Sequence, residues 1–375
     1  MSTGNAVNFK FHEVVKRFRA WGDFVEAVPY GSGHINDTFK VTFGMAGAPV
    51  HYLLQRINHN IFKNPRAVMD NIVRVTNHVR SRLTEAGVAD VTRHSLCVVF
   101  TRDAQPCHQD ADGNWWRMYL FVEGARTYDT IQNERQAFEA ARAYARFQNM
   151  LADLPLPRLN ETIPNFHNTP VRLEALKKAI ANDACNRAVE AHNEIAFVEK
   201  RAALCGRLLD RHAKGEIPER ITHNDTKLNN VMLDDTTGEG VCVIDLDTVM
   251  PGLALYDFGD MVRSATAAAS EDERDLSKVR MRLEMFKSIA GGYLSEAGFL
   301  NPAEREELVF SARLITQMIG MRFLTDYLQG DIYFKTKRPG QNLDRCRAQF
   351  KMVESMEAQQ DEMERVVAAA WSDPK

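Results

Sequence analysis

The stretch that most restricts the fold runs from residue 221 to residue 247. A polar loop, Ile221-Thr222-His223-Asn224-Asp225-Thr226-Lys227-Leu228-Asn229-Asn230, leads into Val231-Met232-Leu233. A turn at 234–240 and the run Val241-Cys242-Val243-Ile244 follow, and Asp245 comes next. Two short apolar runs around an Asp- and Gly-containing turn predict a β-hairpin. In an antiparallel pair the residue before the first strand lies beside the residue after the second, which predicts Asn230 and Asp245 as neighbours. Everything else downstream of Gly124 has helical periodicity, at 134–151, 172–181, 188–213, 276–297, 303–329 and 343–370. The stretch 155–170, rich in proline, reads as an ordered crossing loop.

Upstream the pattern is mixed. Residues 9–22 have helical spacing, 24–30 and 38–43 read as strands, and Gly31-Ser32-Gly33-His34-Ile35-Asn36 turns between them. A third strand at 51–57 precedes a helix that Pro65 opens and that runs to about residue 83. Residues 96–101 and 115–122 supply two more strands, joined across Asp112-Gly113. Five strands and one main helix make an α+β unit. The expected domains are therefore residues 1–122 and a mostly helical 123–375, with Gly124 as the hinge.

Composition narrows the function class. No apolar run reaches the roughly 20 residues that span a bilayer, and the N-terminus lacks a basic region followed by an apolar one. A cytoplasmic protein is expected. Six cysteines without a C-x-x-C pair argue against a zinc ribbon or a disulfide framework. A net charge of -3 with no long basic run gives no support for nucleic-acid binding.

Asp225, Asn230 and Asp245 are the residue types that phosphoryl transfer needs at such a loop. A carboxylate accepts or aligns a substrate hydroxyl, and hard oxygen donors suit Mg²⁺, which keeps waters or phosphates in its other positions. Asp and Asn near turns also cap or bend chains, so each alone is ambiguous; their convergence on one hairpin favours chemistry. Asp257-Phe258-Gly259 spells the metal-binding triplet of protein kinases but follows beyond the hairpin. Asp245 is therefore the expected metal ligand, with Asp257 capping the next helix or orienting the loop, and Asp247 either supporting the metal ligands from behind or binding a second metal.

These residues resemble the aminoglycoside phosphotransferase and choline kinase superfamily: His223-x-Asp225-x-x-x-x-Asn230, Ile244-Asp245 and Asp257 match its motifs. Longer strings are similar to the bacterial N-acetylhexosamine 1-kinases. They are Tyr30-Gly31-x-Gly33-His34-Ile35-Asn36, Ile244-Asp245-Leu246-Asp247-Thr248, Tyr256-Asp257-Phe258-Gly259-Asp260, Gly320-Met321-Arg322-Phe323-Leu324 and Gly330-Asp331-Ile332-Tyr333-Phe334. The resemblance implies a two-lobed protein-kinase-like fold, with a five-stranded antiparallel N-lobe and a helical C-lobe carrying the catalytic hairpin. It further implies ATP and Mg²⁺, with a phosphoryl group passed to the anomeric hydroxyl of N-acetylglucosamine or N-acetylgalactosamine. Asp225 is then the base, and Asn230 and Asp245 hold the metal. Gly31, Gly33, Gln55, Phe121, Glu123 and Lys227 meet the nucleotide, with adenine at the 121–124 backbone. His34, Arg322, Tyr327 and Asp331 line the sugar pocket.

One position departs from the superfamily. The third strand usually carries a Lys or Arg for the phosphates, and here Gln55 stands there, while Arg56 points to the other face. That leaves Mg²⁺, Lys227 or the Gly31–Gly33 turn to neutralise phosphate. Asp70 is the one acid in the first half of the N-lobe helix. Arg322 also has a plainer reading, a surface bridge to Asp326 at i+4. The competing functions are another small-alcohol kinase, acting on choline, homoserine or an aminoglycoside, and an inactive nucleotide-binding scaffold. The first calls for an acidic pocket; the second has only Gln55 in its favour.

Overall fold

Alternation along residues 37–57 builds the sheet of the first unit. In β2 (Asp37–Met45), Phe39, Val41 and Phe43 alternate with polar residues, and in β3 (Ala48–Ile57) Tyr52 and Leu54 do the same. The computed structural model describes residues 10–31 and 35–372, in two units: 1–125 with 244–247, and 126–243 with 248–375. Besides β2 and β3, the first contains α1 (Phe11–Val15), β1 (Asp23–Pro29), α2 (Pro65–Glu85), α3 (Val91–His94), β4 (His108–Gln109) and β5 (Trp115–Leu120). Its five strands pair antiparallel in the order β1-β2-β3-β5-β4. One face buries Phe39, Val41, Phe43, Tyr52, Leu54, Trp116 and Met118 against Val14, Val15 and Phe18. The opposite face carries Gln55 registered against Arg117, with Met69 of α2 beside the guanidinium.

Two expected elements differ here. The helix of 9–22 stops at Val15, because the following backbone bonds instead to 100–102: Arg19 N–H donates to Phe100 O and Arg102 N–H to Arg17 O. The strand of 96–101 reduces to isolated bridges, Val98 with Tyr119 and Phe18 with Thr101. The fifth strand is β4, returned to β5 by a turn in which Asp110 accepts from Asp112 N, Asn114 N and Trp116 Nε1.

The second unit begins within β6 (Ala125–Arg126) and is mostly helical: α4 (Glu134–Met150), α5 (Thr169–Asn182), α6 (His192–Arg201), α7 (Arg207–Ala213), α8 (Ala254–Ala265), α9 (Leu283–Leu294), α10 (Pro302–Glu306), α11 (Leu308–Leu328), α12 (Gln341–Ala358) and α13 (Gln360–Ser372). α4 packs on α9, and α11 packs on both α8 and α12. Three expected long helices are broken by side-chain anchors or turns. The 188–213 segment divides into α6 and α7; 303–329 divides at Glu307, whose buried carboxylate accepts from Arg207 and Arg211; 343–370 divides at Gln359, which donates to Met281 O. β7 (Arg220–Thr222) pairs with β10 (Met250–Gly252), and β8 (Val231–Asp234) pairs with β9 (Gly240–Val243). The last pair of that hairpin is Val231–Val243, so Asn230 lies one residue beyond it and Asp245 two. Simple strand-end pairing is out by one, because the chain leaves the ladder and turns at Asp245, which is left-handed (φ 57°).

Candidate active site

The loop after β7 is held almost atom by atom by the second unit. Asp257, in the first turns of α8, accepts His223 N at 2.8 Å and Asn224 N at 2.7 Å, and also Gln148 Nε2 at 2.6 Å. One turn on, Asp260 accepts Thr226 N at 3.0 Å and is paired with Arg263. Thr226 Oγ1 donates to Asp257 O, Thr248 Oγ1 to His223 O, and Tyr144 Oη to Lys227 O. Asn224 takes a left-handed backbone (φ 66°), a conformation Asn tolerates better than most residues. Its carbonyl accepts His167 Nε2–H at 2.9 Å; burial pushes that imidazole down to about 4, so it is neutral. Asp257 therefore does not cap its helix. It orients the loop, the second of its two expected roles.

The loop presents Asp225 at its turn. Asn230 donates Nδ2 to Asp225 O at 2.8 Å and to Asp225 Oδ2 at 3.2 Å, and Lys227 Nζ lies 3.2 Å from Oδ1. Burial raises the Asp225 carboxyl, but Lys227, His223 and Arg263 outweigh it and hold it below the usual carboxylate value. Lys227 is raised in return, Asp225 being the main cause. With its amide nitrogen committed, Asn230 has its Oδ1 without a hydrogen-bond partner among the described residues. A hard, unshared oxygen of that kind fits Mg²⁺, which needs few protein ligands when phosphates complete its shell.

In the first unit, residues 244–247 form a turn of their own. Asp247 accepts Arg117 Nη1 on Oδ1 and Asn36 Nδ2 at 2.7 Å on Oδ2. Both carboxylate oxygens therefore accept a hydrogen bond from the protein, which suits the supporting one of its two expected roles. Gln55 accepts Arg117 Nε at 2.9 Å and donates to Thr38 Oγ1. The buried cation of this sheet thus sits on β5, one strand from the expected place, and its acid is Asp247; Asp70 of α2 is exposed. Gly31 is left-handed with open space around it, whereas Gly33 and His34 lie outside the described residues. Phe121 packs edge-on to Tyr30 and His51 under Lys40 Nζ, and the Glu123 carboxylate pairs with His51. The Glu123 and Gly124 carbonyls accept Arg93.

Residues 26–282 match the phosphotransferase enzyme family, APH. The chain belongs to that family. Solved phosphotransferases share the fold at low identity. An aminoglycoside phosphotransferase from Alicyclobacillus acidocaldarius superposes with a TM-score of 0.61 at 12% identity, over 95% of this chain and 96% of that one. A choline kinase from Cryptosporidium parvum gives 0.52 at 14%, over 92% of each. Spectinomycin phosphotransferase, solved with ADP and spectinomycin, gives 0.51 at 13%, over 93% and 97%. The α+β kinase-like fold, with its five-stranded antiparallel sheet and helical second unit, is thereby established.

The four expected sugar residues of this phosphotransferase fare differently. Arg322 is ringed by aromatics, its guanidinium 5.3 Å from the Phe166 ring, 5.7 Å from Tyr333 and 5.4 Å from Phe334. It forms no ion pair among the described residues, because Asp326 is occupied by the amides of Ile332, Tyr333 and Phe334 and by Asn342. Burial pulls Arg322 below its ordinary value, while Tyr333 and Asp225 act the other way. Arg172, which donates to Phe166 O, is lowered by burial and by Arg322. Tyr327 and Asp331 are committed to the protein instead. Tyr327 Oη donates to Glu190, and Asp331 accepts Arg187 and Asn342. Sequence reasoning missed Gln148, His167, Asp260 and Arg263; only Asp260, one turn after Asp257, carried a local signal.

Proposed function

We propose that this chain is an ATP- and Mg²⁺-dependent kinase that phosphorylates the anomeric C1 hydroxyl of N-acetylhexosamines, GlcNAc or GalNAc, to the sugar 1-phosphate. The observation that carries the choice of acceptor is Arg322. An aromatic niche would attract a quaternary ammonium or a polyamine by cation–π attraction, but here a guanidinium already fills it, and its charge is felt at Arg172 as well. Such a niche repels cationic acceptors and offers N–H donors to hydroxyl and acetamido oxygens. The strings around Gly320 and Gly330 supply the sugar itself. A choline- or aminoglycoside-type acceptor is the second reading, supported by the fold of its relatives and opposed by that charge.

In this reading Asp225, ionised beside Lys227, takes the hydrogen bond of the C1 hydroxyl and then its proton. The hydroxyl oxygen bonds to the γ-phosphorus as the bond to the β–γ bridging oxygen breaks, and ADP leaves. Asn230 and Asp245 would hold Mg²⁺, which when bound neutralises charge on the phosphates. Gly31, Gly33, Gln55, Phe121, Glu123 and Lys227 are proposed around the nucleotide, and His34 and Arg322 around the sugar. The ADP in spectinomycin phosphotransferase supports an adenine nucleotide donor. The test is a panel of alcohols with ATP and Mg²⁺, assayed for ADP and product. Acid-labile phosphate on GlcNAc or GalNAc is expected; turnover of choline or an aminoglycoside without sugar turnover sinks the reading.

A further inference from the structure

The buried ion pair of the first unit is a costly feature with no surface role. The Arg117 side chain is 1% exposed and Asp247 3%. Taking two charges out of water is unfavourable unless geometry and further hydrogen bonds are good, and here they are. Arg117 reaches Asp247 with Nη1 and Gln55 with Nε; Asp247 spends its other oxygen on Asn36, whose own Oδ1 accepts Asn58 N at 2.9 Å. The chain of contacts ties β5, β3 and the start of β2 to the 244–247 turn. Two residues before Asp247 in that turn, Asp245 holds a left-handed backbone. Asp tolerates that region better than most residues, and contacts on the flanking residues help to hold it there.

We propose that Arg117 is a positioning residue for the metal arm: through Asp247 it locks the 244–247 turn in the one conformation in which Asp245 presents its carboxylate to a divalent cation. The inference rests on the kinase reading above. It makes Arg117 an organiser of metal affinity rather than a phosphate contact, and it accounts for a buried cation opposite Gln55 instead of at it.

Fluorescent mant-ATP titrated with the full-length protein, with Mg²⁺ varied and in EDTA, separates these roles. Arg117→Gln and Asp247→Asn are each expected to raise the Mg²⁺ concentration needed for half-maximal binding by about tenfold or more, the usual scale for groups that orient metal ligands. Metal-free nucleotide binding stays within about twofold of wild type, as expected for a group that touches the metal arm and not the phosphates. Arg117→Lys, which keeps the charge, falls between. The neutral pair Arg117→Met with Asp247→Asn leaves no unpaired charge, so it folds where a single variant fails. Its Mg²⁺ titration is expected to stay shifted. A wild-type titration in the neutral pair makes the ion pair merely structural and overturns the proposal, as does an equal loss of binding in EDTA, which marks Arg117 as a phosphate ligand. If the unaltered protein shows no Mg²⁺-dependent nucleotide binding, the kinase reading itself falls.

Discussion

Asp225 and Asp257 are two carboxyls in one unit with opposite electrostatics. Lys227, His223 and Arg263 hold Asp225 below the ordinary value, so it is an anion throughout the neutral range. Replacing it with Asn is expected to lower kcat by orders of magnitude while mant-ATP binding persists; near-normal turnover would remove it as base. Burial pushes Asp257 up to about 6, against the pull of His223 and of the amides it accepts. As pH falls through that value Asp257 gains a proton and loses acceptor capacity for His223 N and Asn224 N, and the loop loosens. The acid limb of kcat is therefore expected near pH 6 and not at the lower pH set by Asp225. In Asp257→Asn the plateau drops and the limb disappears between about pH 5 and 8. A wild-type limb below pH 4 would show that Asp257 stays ionised.

At the scale of elements, the triplet Asp257-Phe258-Gly259 is explained by helix packing. Asp257 holds the loop, and Phe258 is fully buried against Phe286 and Tyr293. Gly259 lets α8 approach α11 so closely that a Cβ would meet Ser311 O at 2.6 Å and Ile315 Cγ1 at 2.9 Å. Gly259→Ala should therefore force the helices apart and cost about 1–3 kcal/mol, or roughly 2–4 °C of Tm per kcal/mol for a unit of this size. Because α8 carries both Asp257 and Asp260, kcat should fall with it. Thermal melts and kinetics on the same variant check both, and an unchanged Tm would show that α8 can shift at no cost.

For the whole molecule, ligand linkage is the sharpest reporter. No helix among the described residues is long and apolar enough to cross a membrane, and none of the six cysteines forms a disulfide, so melts in reducing buffer are interpretable. Anything bound only by the native state stabilises it by mass action, by about 2.7 kcal/mol at a hundredfold excess over Kd, and so raises Tm. Mg²⁺ with ATP is expected to raise Tm well beyond ATP in EDTA. In Asp245→Asn the metal-dependent increment should vanish while the EDTA increment remains. An increment that survives in Asp245→Asn excludes that residue as a metal ligand.

Much of this was legible in the chain because it is local. The hairpin, the acid at 225 and the amide at 230 lie within a few residues of one another, and strand alternation marks β2 and β3 without reference to anything distant. The two missed elements, the shortened first helix and the displaced fifth strand, were decided by backbone bonds between residues 17–19 and 100–102 that no local window contains. The breaks in the long helices followed from buried side chains such as Glu307, whose arginine partners lie about a hundred residues away. The sequence determined which residue types could do phosphoryl chemistry and roughly where. Tertiary structure alone decided that Arg117 meets an acid 130 positions downstream, that Asp326 is spent on loop amides, and that Arg322 is surrounded by aromatic rings in place of that acid. Partner choice in a buried network is set by three-dimensional proximity and desolvation, and neither is written in spacing along the chain.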